Sequence, residues 1–238
     1  MDIVKKQYLF KLKANIDAFS SLVGIQVLAI LFSLGGSSIH SSSSEGFYIE
    51  IKYYSADIVV VFTMIWALVT AITITTKQYR NNDFTFVTNR ISSSLSNILF
   101  LLTASFVGAL TAVLSRYLIQ MIGLIIYKEE FFTTAFAGGE ILLGLVAALI
   151  YIFTISSIGY LVGALIQINK LFAVLFPVLM IGSLFLDATM DREPSLIKIF
   201  QFYVMESSIF LFIIKMVLTS ALFFLASIGI LNRMEVRR

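Results

Sequence analysis

The chain has 238 residues, of which 59% are apolar and 13% are charged, and its formal net charge is +3. Soluble domains contain roughly 45–50% apolar and about 25% charged residues, so this composition excludes a water-soluble globular enzyme and indicates an integral membrane protein. The chain contains no cysteine and one histidine, His40, which excludes disulfides, thiolate metal sites and multi-histidine metal sites within it.

The first segment, residues 1–17, predicts an amphipathic helix that lies in the headgroup layer of the membrane. Val4, Tyr8 and Leu12 recur at the spacing of one helical face, and Lys13 lies on the opposite face. Such lysines are attracted to anionic lipid. The alternative is that this basic segment serves only as a topology signal. The first apolar run then follows as an uncleaved helix.

Six apolar runs predict an all-α, polytopic membrane protein, because about 20 apolar residues in a helix cross the roughly 30 Å hydrocarbon layer. The third run continues to Tyr127, which is too long for one crossing, so we expect 117–127 to be a bent or interfacial continuation of that helix. Asn169 and Lys170 form the turn between the fourth and fifth spans, and Pro177 predicts a kink in the fifth. The predicted spans are 19–34, 56–75, 95–116, 141–168, 171–186 and 208–231.

The placement of lysine and arginine predicts that both termini are cytoplasmic, because these residues accumulate on the cytoplasmic side of membrane proteins. With the N-terminus inside, the outer side receives only Lys52, Lys128, Arg192 and Lys198. The inner side receives Lys5, Lys6, Lys11, Lys13, Lys77, Arg80, Arg90, Lys170, Arg233, Arg237 and Arg238.

Two outer connections follow from this orientation. The serine-rich segment 35–45 is predicted to be a flexible loop. The segment 187–207 opens with acidic residues, has a turn or helix start at Pro194 and continues with apolar residues. It predicts one or two short helices on the membrane surface, which act either as a lid over an exit or as a connector that rests on lipid.

The inner loop 77–94 is the most informative connection. Asn82 or Asp83 can cap a short helix that begins at Phe84, and such a helix carries apolar side chains into the cytoplasm. An aromatic helix at this position is suited to dock into a groove of a soluble partner. The alternative is a plain solvated loop. The residues of interest are Arg80, Asp83, Phe84, Phe86, Val87 and Arg90.

The whole pattern resembles a permease subunit of a type-2 ABC exporter. Arg80 and Asp83 resemble the early charges of that family's loop signature, and Arg90 resembles its closing arginine, although Thr88 stands where proline is common. The resemblance implies that 77–94 is the coupling helix that fits an ATPase subunit. It also implies a second permease copy or a related permease, in a homodimer or heterodimer. We expect the complex in a plasma membrane, and a bacterial one.

No Walker A pattern occurs in the sequence, so this chain is not predicted to be an enzyme. ATP and Mg would be bound by the partner subunit, and no cofactor, catalytic residue or metal site is expected here. The predicted function is export of a hydrophobic or amphipathic substrate, such as an antimicrobial or toxin peptide, a lipid or a drug. The alternative is a non-transporting membrane sensor or assembly subunit that docks a soluble partner through 77–94. The net charge implies no nucleic acid.

Ionisable residues within or beside the spans are candidates for a substrate pathway. Arg116, Lys215, Glu140 and Glu206 all fall in the predicted outer half, and Asp57 lies nearby. Either the two cations pair with the carboxylates in a polar outer cavity, or both extend to the outer headgroups. Gly159 and Gly163 form a GxxxG pattern that favours close helix packing, within the chain or across a dimer.

Overall fold

The computed structural model describes residues 2–35, 38–44, 47–53, 55–76, 79, 89–127, 138–190, 194–206 and 208–233. These residues are mainly helical. In chain order the elements are α1 (Asp2–Ala14), α2 (Ile16–Ser33), β1 (Ser38–Ser44), β2 (Phe47–Tyr53), α3 (Asp57–Ile74), α4 (Arg90–Tyr127), α5 (Gly138–Ile168), α6 (Phe172–Thr189), α7 (Ser195–Val204) and α8 (Ile209–Arg233).

Six of these helices, α2 to α6 and α8, are long and apolar enough to cross a membrane, with mean hydropathies from 1.8 to 2.5. This confirms the predicted number of spans and the helical class. We call the end of the bundle that carries β1 and β2 the hairpin end, and the end that carries α1 the α1 end. The described turn between α5 and α6 lies at the predicted polar pair, where Asn169 Oδ1 accepts a hydrogen bond from the backbone N–H of Leu171 at 3.0 Å.

The longest helix extends past the predicted third span. We expected that span to end at Arg116 and residues 117–127 to follow as a bent or interfacial continuation, and α4 is one helix of 38 residues that ends at Tyr127. At 1.5 Å per residue such a helix is about 57 Å long, which exceeds the hydrocarbon layer by about 27 Å. One cation does not end this helix, because the residues that follow it are apolar and include no proline.

The first connection also differs from expectation. Segment 35–45 was predicted to be a flexible loop, but Ser38–Ser44 is a strand that pairs antiparallel with Phe47–Tyr53. The register sets Ser38 opposite Tyr53 and Ser44 opposite Phe47. Aromatic and β-branched residues favour strands, and β2 is rich in both, so β2 supplies the propensity that the serine run lacks.

Two glycines set the closest helix contact of the bundle, between α3 and α5. A Cβ atom added to Gly159 would lie 2.5 Å from the carbonyl oxygen of Leu68, and one added to Gly163 would overlap the hydroxyl of Thr75. Small residues at this spacing let helix backbones approach each other. The GxxxG pattern therefore faces a helix of the same chain.

Hydrogen bonds between polar groups join α2 to α3 and α4, and α5 to α8. In α2, Gln26 is buried, and its Nε2 donates to Thr63 Oγ1 at 3.1 Å and to the carbonyl oxygen of Gly108 at 3.2 Å. Thr154 and Ser220 share a hydrogen bond of 2.9 Å between α5 and α8. Each bond satisfies a group that would be costly to leave unpaired away from water.

Helix α1 packs against α4 through a face that combines polar residues with part of the predicted apolar stripe. Gln7, Lys11 and Asn15 are 2%, 4% and 8% exposed, whereas Leu9 is 48% exposed. Tyr8, which we placed on the apolar stripe, shares a 2.8 Å hydrogen bond with Thr103 Oγ1. Hydrogen bonds from Tyr8 and Lys11 thus join α1 to α4, whereas the amide of Asn15 donates to the carbonyl oxygen of Lys11.

Lys11 is the centre of that contact. Its Nζ donates to the carbonyl oxygen of Ser93 at 3.2 Å and to Asn97 Oδ1. The amide of Asn97 in turn donates to Tyr160 OH at 3.3 Å, so the network reaches α5. A buried ammonium group requires such acceptors, since its desolvation is otherwise strongly unfavourable.

The close approach of α3 and α5 predicts that Gly159→Ala destabilises the protein. The new methyl group must displace backbone, and overpacking of this kind typically costs about 1–3 kcal/mol. Thermal unfolding in detergent micelles measures the effect. Gly229→Ala is the matched control, since no atom lies within 4 Å of a Cβ at that position. Equal melting temperatures for the two variants would contradict the packing role.

The Lys11 network predicts that Lys11→Met costs about 1–3 kcal/mol, because Asn97 then loses a buried partner. Adding Asn97→Leu should cost less than the sum of the two single changes, as expected for residues in one network. The exposed Lys13→Met should change stability by less than about 0.5 kcal/mol. Strict additivity of the first two changes, measured by thermal unfolding in micelles, would refute the coupling.

Candidate functional site

A cavity of about 380 Å³ lies at the hairpin end, between the start of α3, the second half of α4 and the start of α5. Its lining includes three of the residues singled out from the sequence, Arg116, Asp57 and Glu140. Tyr117 and Ser55 add two hydroxyl groups. The structure therefore brings together one cation and two carboxylates that are far apart in the sequence.

Each carboxylate is placed by a helix start. Asp57 and Glu140 lie in the first turns of α3 and α5, where the helix dipole favours a negative charge. The hydroxyl of Ser55 donates to Asp57 Oδ2 at 2.7 Å and so orients that side chain. Arg116 lines the same space from the second half of α4. The two carboxylates can attract a positively charged group to this space.

Lys215 and Glu206 do not line this cavity. They form an ion pair with each other where α7 meets α8, and their side chains are 29% and 19% exposed. The Lys215 ammonium also lies 4.2 Å from the ring centroid of Phe202, a cation–π geometry. One turn further along α8, Thr219 shares a 3.1 Å hydrogen bond with Tyr203 OH. These contacts fasten α7 to α8.

Helix α7 begins after Pro194, at the helix start expected for the segment 187–207. Asp187 in α6 accepts hydrogen bonds from the backbone N–H and the hydroxyl of Ser195, at 2.6 and 3.2 Å. A carboxylate at this position caps the helix N-terminus. The segment is thus held at both ends, by Asp187 at its start and by Lys215 at its finish.

Most of the predicted docking loop lies outside the described residues, including Arg80, Asp83, Phe84, Phe86 and Val87. Arg90 is the first residue of α4. Both flanks of the loop are bonded into the bundle. The amide of Gln167 in α5 donates to the carbonyl oxygen of Thr75 before the loop. Lys11 in α1 donates to the carbonyl oxygen of Ser93 after it.

Sequence reasoning missed the buried polar residues of α1 and the partners of Lys11. The pattern was present as Gln7, Lys11 and Asn15, polar residues spaced four apart on one helical face. We expected this helix to lie in the headgroup layer and assigned none of its residues to a contact with the other helices. Within the described part of the chain, no group of three His, Asp or Glu side chains could hold a metal ion.

The fold and the cavity define a multi-pass membrane protein with a charged recess at one end. No protein-family model, curated protein or solved structure matches this chain. Its function must therefore be argued from its own residues.

The recess predicts that Gly144→Cys reacts with a membrane-impermeant maleimide. Gly144 lines the cavity and has room for a side chain, and the chain contains no other cysteine. Gly182→Cys, in the middle of the apolar α6, should react at least about tenfold more slowly because thiolates form poorly in lipid. Labelling measured by mass spectrometry checks both. Equal rates would mean that the recess is not open to water.

Proposed function

We propose that this chain is the permease subunit of an ABC exporter, which moves a hydrophobic or amphipathic substrate outward with energy from a separate ATPase subunit. The observation that carries this proposal is that the two ends of the bundle have different features. A charged recess occupies the hairpin end, and a polar loop joins α3 to α4 at the α1 end, with both of its flanks bonded to other helices. A pore subunit that is driven by a separate ATPase subunit requires both of these features.

The proposed orientation puts the α1 end and both termini in the cytoplasm. The loop 77–94 then meets the ATPase, and its aromatic residues Phe84 and Phe86 enter a groove on that subunit. ATP and Mg are bound by the ATPase, because the chain has no phosphate-binding loop.

Motion of the loop has two routes into the membrane. Through Thr75 and Gln167 it acts on α5, and through Ser93 and Lys11 it acts on α1. Helix α5 extends from Gly138 to Ile168, so it links the loop to Glu140 in the recess. A rigid helix that contacts both sites is the kind of element that can couple them.

A second permease copy completes the pathway in this proposal. Helix α6 contains no buried residue within the chain, although it is apolar over its whole length. Lipid or another permease can cover such a helix. The proposed substrate, a peptide with apolar side chains, a lipid or a drug, would reach the recess from the space between two copies.

The coupling role predicts that Phe84→Ala combined with Phe86→Ala lowers binding to the ATPase at least about tenfold, since buried aromatic anchors dominate docking energy. The ATPase encoded beside the gene for this chain would be co-expressed, and co-purified complex and ATP hydrolysis measured in nanodiscs. The matched control is Phe106→Ala with Phe210→Ala, two phenylalanines that are 47% and 68% exposed in other helices.

Wild type and control should retain the complex and its ATP hydrolysis, and the loop variant should lose both. Equal binding by the loop variant would contradict the docking assignment. A complex that forms through the loop but turns over no ATP would favour the sensor or assembly subunit instead.

A further inference from the structure

A second cavity, of about 340 Å³, lies at the α1 end between the start of α2, the end of α3 and α4. It shares no residue with the recess that contains Arg116. Its volume falls within the range of about 300–1,000 Å³ that is typical of small-molecule sites. Nothing in the proposed export mechanism requires it.

One carboxylate defines the charge of this cavity. Asp17 is the only aspartate, glutamate, lysine or arginine among the described residues of its lining. It lies in the first turn of α2, just past the break in the helix at Asn15, and it is exposed. Lys11 does not line this cavity, because its ammonium is turned towards Ser93 and Asn97.

Three aromatic residues line the same space, Trp66, Tyr79 and Phe100. Trp66 and Phe100 are only 3% and 0% exposed and form the floor of the cavity, whereas Tyr79 is partly exposed. The indole N–H of Trp66 already donates to Ser21 Oγ at 2.9 Å, so the indole has no free donor for a ligand. The ring of Tyr79 and the carboxylate of Asp17 both attract cations, because ring faces carry partial negative charge.

The wall of the cavity leads outward along α3. Val69 lines it and is 54% exposed on the apolar surface of that span, and Ile25 adds apolar surface from α2. A ligand with a hydrocarbon tail can thus leave its tail at the membrane side while its headgroup enters. Anionic headgroups are disfavoured by Asp17, and neutral ones gain nothing from it.

We propose that this cavity binds the alkylammonium group of an amphiphile, with Asp17 as the counter-ion and the ring of Tyr79 as a second surface that attracts the cation. The group can belong to a free long-chain amine or to the headgroup of an aminophospholipid. Binding needs no ATPase and no second permease, so its test is independent of the proposed export function.

The single tryptophan of the chain, Trp66, is the probe. Protein in phosphatidylglycerol nanodiscs is titrated with dodecylamine, dodecanol or dodecyl sulfate while Trp66 fluorescence is recorded. We expect a saturable change with dodecylamine alone. Asp17→Asn should raise the dodecylamine concentration at half-saturation at least about tenfold. Asp187→Asn, a change of the same kind at the hairpin end, should leave that concentration unchanged. Equal thermal stability of the variants excludes misfolding.

Replacing part of the phosphatidylglycerol by phosphatidylethanolamine, or by the same fraction of diacylglycerol, separates the two sources of the ammonium group. Weaker dodecylamine binding in the phosphatidylethanolamine discs means that the lipid headgroup competes for the cavity. Equal binding in both means that only free amines enter. The proposal fails if dodecanol gives the same saturable change, or if wild type and Asp17→Asn respond alike.

Discussion

The constraint on which this structure depends is that hydrocarbon offers no hydrogen bonds to the polar groups of the membrane-spanning helices. Buried hydroxyls bond to carbonyl oxygens of their own helix, as Ser115 does to Ala112, or to another helix. Gln26, for example, joins α2 to both α3 and α4 by binding Thr63 and the carbonyl oxygen of Gly108. Apolar contacts alone would let these helices slide, because lipid is as apolar as their surfaces. The hydrogen bonds fix how far each helix is shifted along its neighbour.

The glycine contact between α3 and α5 works with those bonds. Close approach at Gly159 and Gly163 brings the end of α5 within reach of Thr75, and Gln167 can then bind its carbonyl oxygen. The most tightly packed helix pair thus also holds the start of the loop at the α1 end. Stability of the bundle and attachment of the loop share one set of residues.

Much of the framework could be predicted from the sequence, because the signals concerned are local. The six apolar runs and the turn at Asn169 depend on residues that are adjacent in the chain. The strand Ser38–Ser44 escaped prediction because its own composition is that of a loop, and its partner β2 supplies the strand propensity.

The candidate site could be predicted only in part, because it depends on which helices become neighbours. Arg116 and Glu140 were identified one by one, but only the order of α3, α4 and α5 sets them and Asp57 around one recess. Lys215 has the same character in the sequence, yet α7 folds back and gives it Glu206. For α1, the partners of Lys11 lie on α4, and no periodicity within α1 can reveal them.

Lys11 and Asn97 are 86 positions apart, so α1 must wait at the membrane while α2, α3 and the start of α4 are synthesised and inserted. Helix α1 can therefore pack in its final position only after α2 and α3 have been synthesised. Insertion of α4 is the step in biogenesis that fixes this position.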